Sequence, residues 1–366
     1  MAKMKIIDLF SGAGGLSYGF AHDDFFEIVA AVEILPDMAN TYKENHKNTK
    51  VYNIDISKFN KALFSKDFGK TKIDMVVGGP PCQAYSTIGK RLLDDPRGKL
   101  FQEYYRILVE FKPKFFIFEN VKGLLSMDGG NLLNTIIMLF SKLGYNVKYK
   151  LINAADYGVP QLRERVIITG TLKKKNYNYP NPTHTNEIGL FNNTLKLWLT
   201  MEDALSDLPL IENGGKSKKY QKKSQNAFQK YLRNTDPKEI LDHESSKNGD
   251  HLLEMMKHLP QGGTLKDIPK SIRPLKAFPN SYSRLWWKRP STTITRNLGT
   301  PSSARCIHPL VDRALTTREG ARLQSFPDNY VFTGSRSSKN LQIGNSVPPL
   351  LSIHLAKSVK DYFTDL

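Results

Sequence analysis

Residues 4–16 read MKIIDLFSGAGGL, a short apolar run that ends in a glycine-rich turn. Later apolar runs repeat the pattern at residues 27–33, 72–77 and 114–118, with helical stretches between them. Continuous apolar strands that alternate with helices indicate a mostly parallel sheet covered on both faces, because half-exposed strands would alternate apolar and polar residues. The predicted fold class is therefore α/β. In such sheets, ligands bind beyond the carboxyl ends of the strands.

The composition limits the classes of protein and partner. The 366 residues include 53 Lys and Arg against 35 Asp and Glu, a net charge of +18 with histidine neutral. This excess favours a polyanionic partner, either nucleic acid or an anionic membrane surface. No run approaches the ~20 apolar residues of a bilayer span, and no signal peptide is recognisable, so we expect no membrane partner. The two cysteines, Cys82 and Cys306, exclude a disulfide framework, and a reducing cytoplasm is the expected location.

The positive charge is concentrated in the middle of the chain. Residues 171–290 hold 21 Lys and Arg against 12 Asp and Glu, half of the net excess in about a third of the length. Between Lys216 and Arg233 lie seven basic residues and no acidic one, with Tyr220, Phe228 and Tyr231 interleaved. This segment is either a solvated face or a surface that contacts phosphates.

The glycine-rich turn after the first strand predicts a ligand site. Glycines let the backbone approach a ligand closely, and the following helix offers free N–H groups. The dinucleotide fingerprint requires a third glycine where this sequence has Ser17, so a nicotinamide-dependent enzyme stays open but is not favoured. Glu33 ends the second strand, where an acid accepts hydrogen bonds from both ribose hydroxyls. Asp55-Ile56 suits an adenine amino group and ring, and together these residues predict a nucleoside site.

Cys82 follows two prolines beyond the third apolar run, in Gly79-Pro80-Pro81-Cys82-Gln83. The prolines stiffen the approach and limit the directions in which the sulfur points. We interpret Cys82 as a nucleophile, with an ordinary buried small side chain as the alternative. A nucleophilic thiolate requires a pKa below the ordinary value of ~8.5, which a nearby cation provides. Arg163 and Arg165 are candidate cations, with surface salt bridges as the alternative.

Phe118-Glu119-Asn120-Val121 places a carboxyl group at the end of the fourth apolar run. Partial desolvation raises the pKa of a carboxyl group, so that it can donate a proton near neutral pH. We therefore interpret Glu119 as a proton donor, with a helix-capping acid as the alternative.

Six motifs occur in a fixed order: Phe10–Leu16, Pro81-Cys82-Gln83, Glu119-Asn120-Val121, Gln161-x-Arg163-x-Arg165, Arg289–Thr293 and Gln342–Ser346. Their order resembles the DNA (cytosine-5)-methyltransferase family, most of all its bacterial restriction–modification members, over about residues 1–175 and 285–366. The resemblance implies a Rossmann-like S-adenosylmethionine-dependent methyltransferase sheet with an inserted smaller, irregular, mainly β target-recognition domain. The implied domains are 1–175 for catalysis and cofactor binding, 176–337 for target recognition and 338–366 for a segment that returns to the first.

The resemblance also implies the chemistry. Cys82 would attack C6 of a cytosine, so that C5 accepts the methyl group of S-adenosyl-L-methionine and S-adenosyl-L-homocysteine is released. Glu119 would hold the base at N3, Arg165 would steady the base and the cysteine, and Arg163 would brace the site. No metal is implied. The implied cofactor residues are Phe10, Ser11, Gly12, Ala13, Gly14, Leu16, Glu33, Ile34, Asp55, Ile56, Gly79, Pro81, Leu100, Asn345 and Ser346.

The implied partner is double-stranded DNA with a specific sequence. The implied enzyme is a monomer in the bacterial cytoplasm, and its methylation would protect this DNA from a cognate restriction endonuclease. The target cytosine must leave the stack, at a cost of roughly a few kcal/mol. The stretch from Gln83 to Gly98 matches the family's mobile active-site loop, with an ordinary surface loop as the alternative. The predicted DNA contacts are Gln83, Ser86, Lys90, Arg91 and Arg97 in this stretch, and Gln261, Gly262 and Arg284 in the target-recognition domain.

Two further functions stay open. The same chemistry acts on transfer RNA in one branch of the family, although the long basic middle segment and the Gln83-Ala84-Tyr85-Ser86 continuation favour DNA. A catalytically silent DNA-binding regulator would bind DNA without forming a covalent adduct, and the intact Cys82, Glu119 and Arg165 disfavour it.

Overall fold

The computed structural model describes residues 3–81, 99–172, 175–188, 194–235, 237–278 and 280–364. The chain divides into two compact units. The first unit comprises Met1–Asn153, Glu164–Asn181 and Leu351–Leu366, and the second comprises Ala154–Arg163 and Pro182–Leu350. Compared with the implied domains, residues 154–163 and 338–350 fall in the second unit, and residues 176–181 fall in the first. No described helix is long and apolar enough to cross a bilayer.

The regular elements have the following bounds. The described strands are β1 (Met4–Leu9), β2 (Phe26–Val32), β3 (Lys50–Tyr52), β4 (Met75–Gly78), β5 (Phe115–Val121), β6 (Asn146–Asn153), β7 (Glu164–Thr171), β8 (His184–Thr185), β9 (Lys196–Leu197), β10 (Ser283–Arg284) and β11 (Arg305–Ile307). The described helices are α1 (Tyr18–Ala21), α2 (Pro36–Asn45), α3 (Lys61–Phe68), α4 (Lys99–Phe111), α5 (Asn131–Lys142), α6 (Met201–Leu205), α7 (Ala227–Leu232), α8 (Asp250–Lys257), α9 (Thr317–Leu323), α10 (Arg336–Asn345) and α11 (Pro349–Thr364). Short 3-10 helices occupy Ile56–Lys58, Lys122–Leu125, Met127–Gly130, Ala154–Tyr157 and Leu265–Asp267.

The first unit contains a mixed sheet whose described strands follow the order β3-β2-β1-β4-β5-β7-β6. Strands β1 to β5 pair in parallel, and β7 runs antiparallel to both β5 and β6. The four apolar runs of the sequence become β1, β2, β4 and β5, so the prediction of a mostly parallel α/β sheet is confirmed. Strand β6 lies at the edge of the sheet and is half exposed, which explains why its sequence shows no continuous apolar run.

Aromatic side chains form much of the core between the sheet and helices α4 and α5. The ring centroids of Phe116 and Phe140 are 4.7 Å apart, and those of Tyr104 and Phe118 are 5.0 Å apart, both in edge-to-face geometry. Such pairs contribute about 0.5–1.5 kcal/mol beyond the area that they bury. This packing fixes β4 and β5, whose carboxyl ends carry the candidate site.

The last helix, α11, packs against the start of the first helix, α1, and the glycine-rich turn before it. The Gly19 N–H donates to Ser352 Oγ at 2.8 Å, and Ser352 Oγ itself donates to the Leu16 carbonyl. A Cβ atom at Gly19 would lie 2.3 Å from the Ser352 carbonyl carbon, so this close approach requires glycine. Helix α11 thereby supports the turn that follows β1.

The second unit is irregular, as expected, but it is not mainly β. Its described strands form two pairs, β8–β9 and β10–β11, of two or three residues each, whereas α6 to α10 hold most of its regular structure. The prediction of a mainly β insertion was therefore wrong. Buried ion pairs, rather than hydrogen bonds between long strands, stabilise this unit. Fully buried Arg322 in α9 pairs with Asp207 and Asp328, and Arg313 forms two 2.8 Å hydrogen bonds to Glu319.

Candidate active site

The turn after β1 is held by the carboxylate of Glu33, the residue after β2. Glu33 accepts the Gly12 N–H at 2.9 Å and the Leu35 N–H at 2.8 Å, one on each oxygen, and the residue is buried. Burial raises the pKa of Glu33, while the backbone hydrogen bonds from Leu35, Gly12 and Ile34 oppose the rise. Gly12 adopts a φ of 55°, which favours glycine. The fold therefore places the Glu33 carboxylate in direct contact with the glycine-rich turn.

The same turn has features that a bound nucleoside with an amino-acid tail would satisfy. The Oγ of buried Ser11 has no hydrogen-bond partner among the described residues. A Cβ atom at Gly12 would meet open space, so a ligand could approach the backbone there. The side chain of Ile34 is exposed although it is large and apolar. An orphaned hydroxyl, an open backbone and an apolar platform fit the predicted cofactor site.

Asp55 and Ile56 lie at the start of the 3-10 helix after β3. Asp55 is exposed, and its Oδ1 accepts from Ser57 N at 2.8 Å and from Ser57 Oγ at 2.7 Å. These hydrogen bonds lower the pKa of Asp55, so the carboxylate is charged at neutral pH. Ile56 is buried in the core. Nearby, Asn53 Nδ2 donates to the Glu33 carbonyl at 2.8 Å and to the Ile34 carbonyl at 3.0 Å, which joins β3 to the Glu33 end of the site.

The remaining predicted cofactor residues of the first unit occupy these elements. Ala13, Gly14 and Leu16 are buried in the turn, where Gly14 has a φ of 89°. Phe10 and Leu100 are half buried and pack against the core of the sheet. Their direct contact with a cofactor stays a prediction.

Gly79, the residue after the carboxyl end of β4, lies close to Glu119. A Cβ atom at Gly79 would lie 2.6 Å from Glu119 Oε2, so a larger residue at this position would displace the carboxylate. Buried Asn120 donates its Nδ2 to the Pro80 carbonyl at 3.2 Å. Sequence reasoning quoted Asn120 in a motif but gave it no role; its position directly after Glu119 was the available signal. It fixes the proline pair, whose exposed second member Pro81 precedes Cys82.

Glu119 and Arg165 form an ion pair across neighbouring strands. Arg165 Nε lies 2.9 Å from Glu119 Oε1, and about an eighth of each side chain is exposed. The register pairs Glu119 with Ile167 and Val121 with Arg165, so the two charged residues are diagonal neighbours on one face. Two predicted site residues are thus brought together with Gly79 at the carboxyl ends of β4 and β5.

The predicted nucleophile and active-site loop fall outside the described residues. These are Cys82, Gln83, Ser86, Lys90, Arg91 and Arg97. Their roles stay predictions. Among the described residues, no group of three or more His, Cys, Asp or Glu side chains is arranged to hold a metal ion.

Arg163 braces the second unit from within. It is buried, and its guanidinium donates to the carbonyls of Ile294 at 3.1 Å and of Gly344 and Ser346 at 2.9 Å. These hydrogen bonds hold the backbone of this unit, and the predicted bracing of the active site by Arg163 stays a prediction. Exposed Asn345 and buried Ser346 end α10, and their predicted cofactor contact stays a prediction.

Gln161 joins motifs that are far apart in the sequence. Its Oε1 accepts the Ile294 N–H at 2.8 Å, and its Nε2 donates to Gln324 Oε1 at 3.0 Å. The glutamine of the Gln-x-Arg-x-Arg motif thus connects the stretch after Arg289–Thr293 to the end of α9. Sequence spacing alone offers no sign of this contact.

The predicted base contacts of the second unit have different environments. Exposed Gln261 accepts the Trp287 N–H at 3.0 Å, and a Cβ atom at Gly262 would lie 2.1 Å from Trp286 Nε1. Both residues stay predicted contacts.

Arg284, in contrast, is buried and donates all five N–H groups within the protein. The acceptors are the carbonyls of Leu259, His308, Val311 and Met256 and the carboxylate of Asp312. This environment disagrees with the predicted DNA contact, because no N–H remains for a base. We therefore assign Arg284 a structural role.

A buried polar group beneath the cofactor turn was missed by sequence reasoning. Asp8 on β1 accepts from Ser17 Oγ, which in turn accepts from Tyr42 Oη at 2.9 Å. Burial raises the pKa of Asp8 to about 7, and the charge of nearby Glu33 adds to the rise. An acid within an otherwise apolar strand was the signal that could have revealed it.

The chain is similar to known proteins over almost its whole length. The family model described as C-5 cytosine-specific DNA methylase matches residues 4–361. The chain is 36% identical to the Type II methyltransferase M1.HphI of Haemophilus parahaemolyticus over 98% of this chain and 87% of that protein. It is 36% identical to the Type II methyltransferase M.NgoFVII of Neisseria gonorrhoeae, over 99% of this chain and 88% of that protein.

Solved structures agree with this relationship. A protein described as a DNA modification methyltransferase encoded within an Escherichia coli prophage superposes with a TM-score of 0.78 and 27% identity over 99% of both chains. The Dnmt2 methyltransferase of S. pombe shares the fold, with a TM-score of 0.58 and 18% identity over 98% of this chain and 99% of that one. With its Rossmann-like sheet and the Glu119–Arg165 pair, the chain belongs to the C-5 cytosine-specific DNA methylase family and is a DNA (cytosine-5)-methyltransferase.

Proposed function

We propose that the protein transfers a methyl group from S-adenosyl-L-methionine to C5 of a flipped-out cytosine in a specific double-stranded DNA sequence, through a covalent bond between Cys82 and C6. The observation that carries this proposal is the Glu119–Arg165 ion pair above Gly79, three residues before Cys82. A largely buried acid beside Gly79, close in the sequence to the proposed nucleophile, suits acid-assisted nucleophilic attack on a ring.

The turn after β1 would hold the cofactor. When bound, S-adenosyl-L-methionine supplies an electrophilic methyl group and leaves as S-adenosyl-L-homocysteine. Glu33 would accept the ribose hydroxyls while its backbone hydrogen bonds keep the carboxylate oriented. The orphaned Ser11 Oγ would hydrogen-bond the amino-acid tail, and exposed Ile34 would pack on the adenine. Charged Asp55 would accept from the adenine amino group.

The chain's own residues would activate the base. The Cys82 thiolate would add to C6, and the displaced electron pair would make C5 nucleophilic. Glu119 would bind the base edge and donate a proton to N3, so that the ring does not carry the full negative charge. Arg165 would keep the Glu119 carboxyl group in position through its 2.9 Å contact. After methylation, loss of the C5 proton to solvent, expulsion of the Cys82 thiolate and return of the N3 proton to Glu119 would restore the aromatic ring and both side chains.

DNA recognition would belong to the second unit and to the stretch after Cys82. Gln83, Ser86, Lys90, Arg91 and Arg97 would cover the flipped base, and Gln261 and Gly262 would contact the target sequence. The similarity to Type II methyltransferases supports a protective role opposite a restriction endonuclease. We propose a monomer, because one chain contains every residue of this scheme.

The test is methyl transfer to duplex DNA by wild type and Cys82→Ala, followed by bisulfite sequencing to identify the modified cytosine. We expect transfer by the wild type alone, and a covalent adduct with 5-fluorocytosine DNA that Cys82→Ala does not form. Normal transfer by Cys82→Ala would overturn the covalent step. Transfer to transfer RNA instead of duplex DNA would identify the RNA substrate, and DNA binding without any transfer would identify a silent regulator.

A further inference from the structure

The basic segment of the second unit presents four lysines to solvent. Lys219, Lys222, Lys223 and Lys230 are all exposed, and none has an ion-pair partner in the part of the chain that the structure describes. Their neighbour Lys218 differs, because its Nζ lies 3.6 Å from Glu239. We call these four residues the lysine surface.

The backbone on one side of the lysine surface is tied to a second segment. The Ser217 N–H donates to the His243 carbonyl at 3.1 Å, and the Ile240 N–H donates to the Lys218 carbonyl at 2.8 Å. Lys216 and Glu244 form an isolated antiparallel bridge. Residues 216–218 therefore have a defined conformation directly before the first lysine of the surface.

Tyr220 anchors the middle of the segment to the buried ion pairs. Its Oη donates to Asp328 Oδ2 at 2.6 Å, and Asp328 also pairs with buried Arg322. The Arg233 guanidinium lies 3.9 Å from the centroid of the Tyr220 ring, a cation–π distance. Lys219 and Lys222 flank this anchored tyrosine, so their backbone is held against the interior of the unit.

Helix α7 holds the last lysine of the surface. Asn226 caps the helix by accepting the Gln229 N–H at 2.9 Å. Buried Gln229 donates to the Asp203 carbonyl at 2.9 Å and to Ser206 Oγ at 2.8 Å. Lys230 is the next residue and faces solvent.

The aromatic residues of the segment do not face a partner. Phe228 is buried, and Tyr231 Oη donates to the Ser325 carbonyl at 3.0 Å. With Tyr220 also bound inwards, no aromatic ring in residues 216–233 is presented for stacking on a base, and no large apolar side chain is exposed there for insertion into a lipid surface. The lysine surface offers charge alone.

We propose that the lysine surface contacts phosphates of the duplex DNA that the second unit reads, without contacting bases; this inference rests on the proposed function. Lys222 Nζ donates to the Ser206 carbonyl at 3.4 Å, but none of the four lysines has a described acidic partner to neutralise its charge. Phosphates of a duplex would supply that negative charge. Each phosphate that a lysine neutralises releases counterions, and the slope of log affinity against log salt changes by about 0.9 per phosphate. The surface would thus raise affinity for any duplex and leave the choice of sequence to other residues.

The test replaces all four lysines by glutamine, K219Q/K222Q/K223Q/K230Q, and measures duplex DNA binding from 50 to 200 mM salt. If each lysine neutralises one phosphate, the variant loses about a hundredfold less affinity over this range than the wild type. The matched control is K61Q/K66Q/K70Q/K142Q, four exposed lysines of the first unit that also have no ion-pair partner within the described ranges. The control should keep the wild-type slope.

The outcomes separate this inference from the proposed function. An unchanged slope in the lysine-surface variant, or an equal change in the control, would overturn the phosphate contact even if the wild type methylates DNA. Loss of binding to transfer RNA or to anionic vesicles, with the DNA slope unchanged, would overturn it as well. Failure of the wild type to transfer methyl groups would remove the proposed function and leave the slope comparison interpretable. The lysine-surface variant should modify the same cytosine as the wild type, because the choice of sequence lies with other residues.

Discussion

Arg165 Nε and Glu119 Oε1 lie 2.9 Å apart across the β5–β7 pair, and both side chains are largely withdrawn from solvent. The other carboxylate oxygen of Glu119 lies over Gly79, where a Cβ atom would approach to 2.6 Å. The carboxyl group is therefore held on two sides by the sheet itself. Such a position suits a group that must meet one atom of a substrate, because little orientational freedom remains to be lost on binding.

Glu119→Gln should lower single-turnover methyl transfer by about 10²–10⁴-fold, because the amide keeps the shape of the side chain but cannot donate a proton in the same way. DNA binding should be nearly unchanged. The control is Glu164→Gln, since Glu164 lies next to Arg165 and pairs with Lys122 at 2.8 Å on a more exposed part of the surface. Transfer by Glu119→Gln within tenfold of the wild type would contradict the role of Glu119.

Glu33→Gln should weaken S-adenosyl-L-homocysteine binding by about 10–100-fold, since hydrogen bonds to charged groups contribute roughly 1.5–3 kcal/mol. The amide can accept only one of the Gly12 and Leu35 N–H groups, because these two groups bind different carboxylate oxygens of Glu33. Isothermal titration calorimetry measures the affinity, and transfer at saturating cofactor should recover most of the wild-type rate. Glu27→Gln is the matched control, because Glu27 is an exposed acid on the same strand β2. Equal affinities for the two variants would contradict the assignment.

Asp8 should make the stability of the protein depend on pH. Burial raises its pKa to about 7 from the ordinary 3.8, so the folded protein binds a proton that the unfolded chain releases between these values. Its contribution to stability is full below pH 4, falls as pH rises towards 7 and is lost above it, with a total of roughly 4 kcal/mol. Asp8→Asn mimics the protonated acid and should flatten this part of the profile. Urea unfolding between pH 5 and 8 is the measurement, and parallel profiles for the two proteins would refute the prediction.

Arg322→Ala should destabilise the second unit by about 3–5 kcal/mol, because the fully buried carboxylates of Asp207 and Asp328 would lose their shared cation. The comparison is Arg336→Ala, whose partner Glu244 and whose own side chain are both well exposed. That pair should contribute about 0–1 kcal/mol. Thermal unfolding of both variants distinguishes the two environments, and equal losses would show that burial does not decide the effect.

The sequence by itself determined the sheet and the candidates for the reacting groups. The runs that became β1, β2, β4 and β5 are mostly apolar, and burial on both faces leaves that pattern in the sequence of each strand. Glu33 and Glu119 were recognised because each ends or follows such a run. Residue order alone also revealed the resemblance to the family, because the six motifs are recognised in the sequence without knowledge of any tertiary contact.

The tertiary structure decided which charged groups meet and which are buried. Glu119 reaches Arg165 through the antiparallel register of β5 and β7. Neither strand's own sequence specifies this register between residues 46 positions apart along the chain. Arg284 and Arg322 were indistinguishable from exposed DNA contacts in the sequence, yet both are enclosed by acceptors from distant segments. The lysine surface is exposed for the opposite reason, because its aromatic neighbours occupy the interior and leave the lysines outside. Burial depends on the folded chain as a whole. It therefore distinguishes charged residues that stabilise the fold from charged residues available to a partner, which composition cannot do.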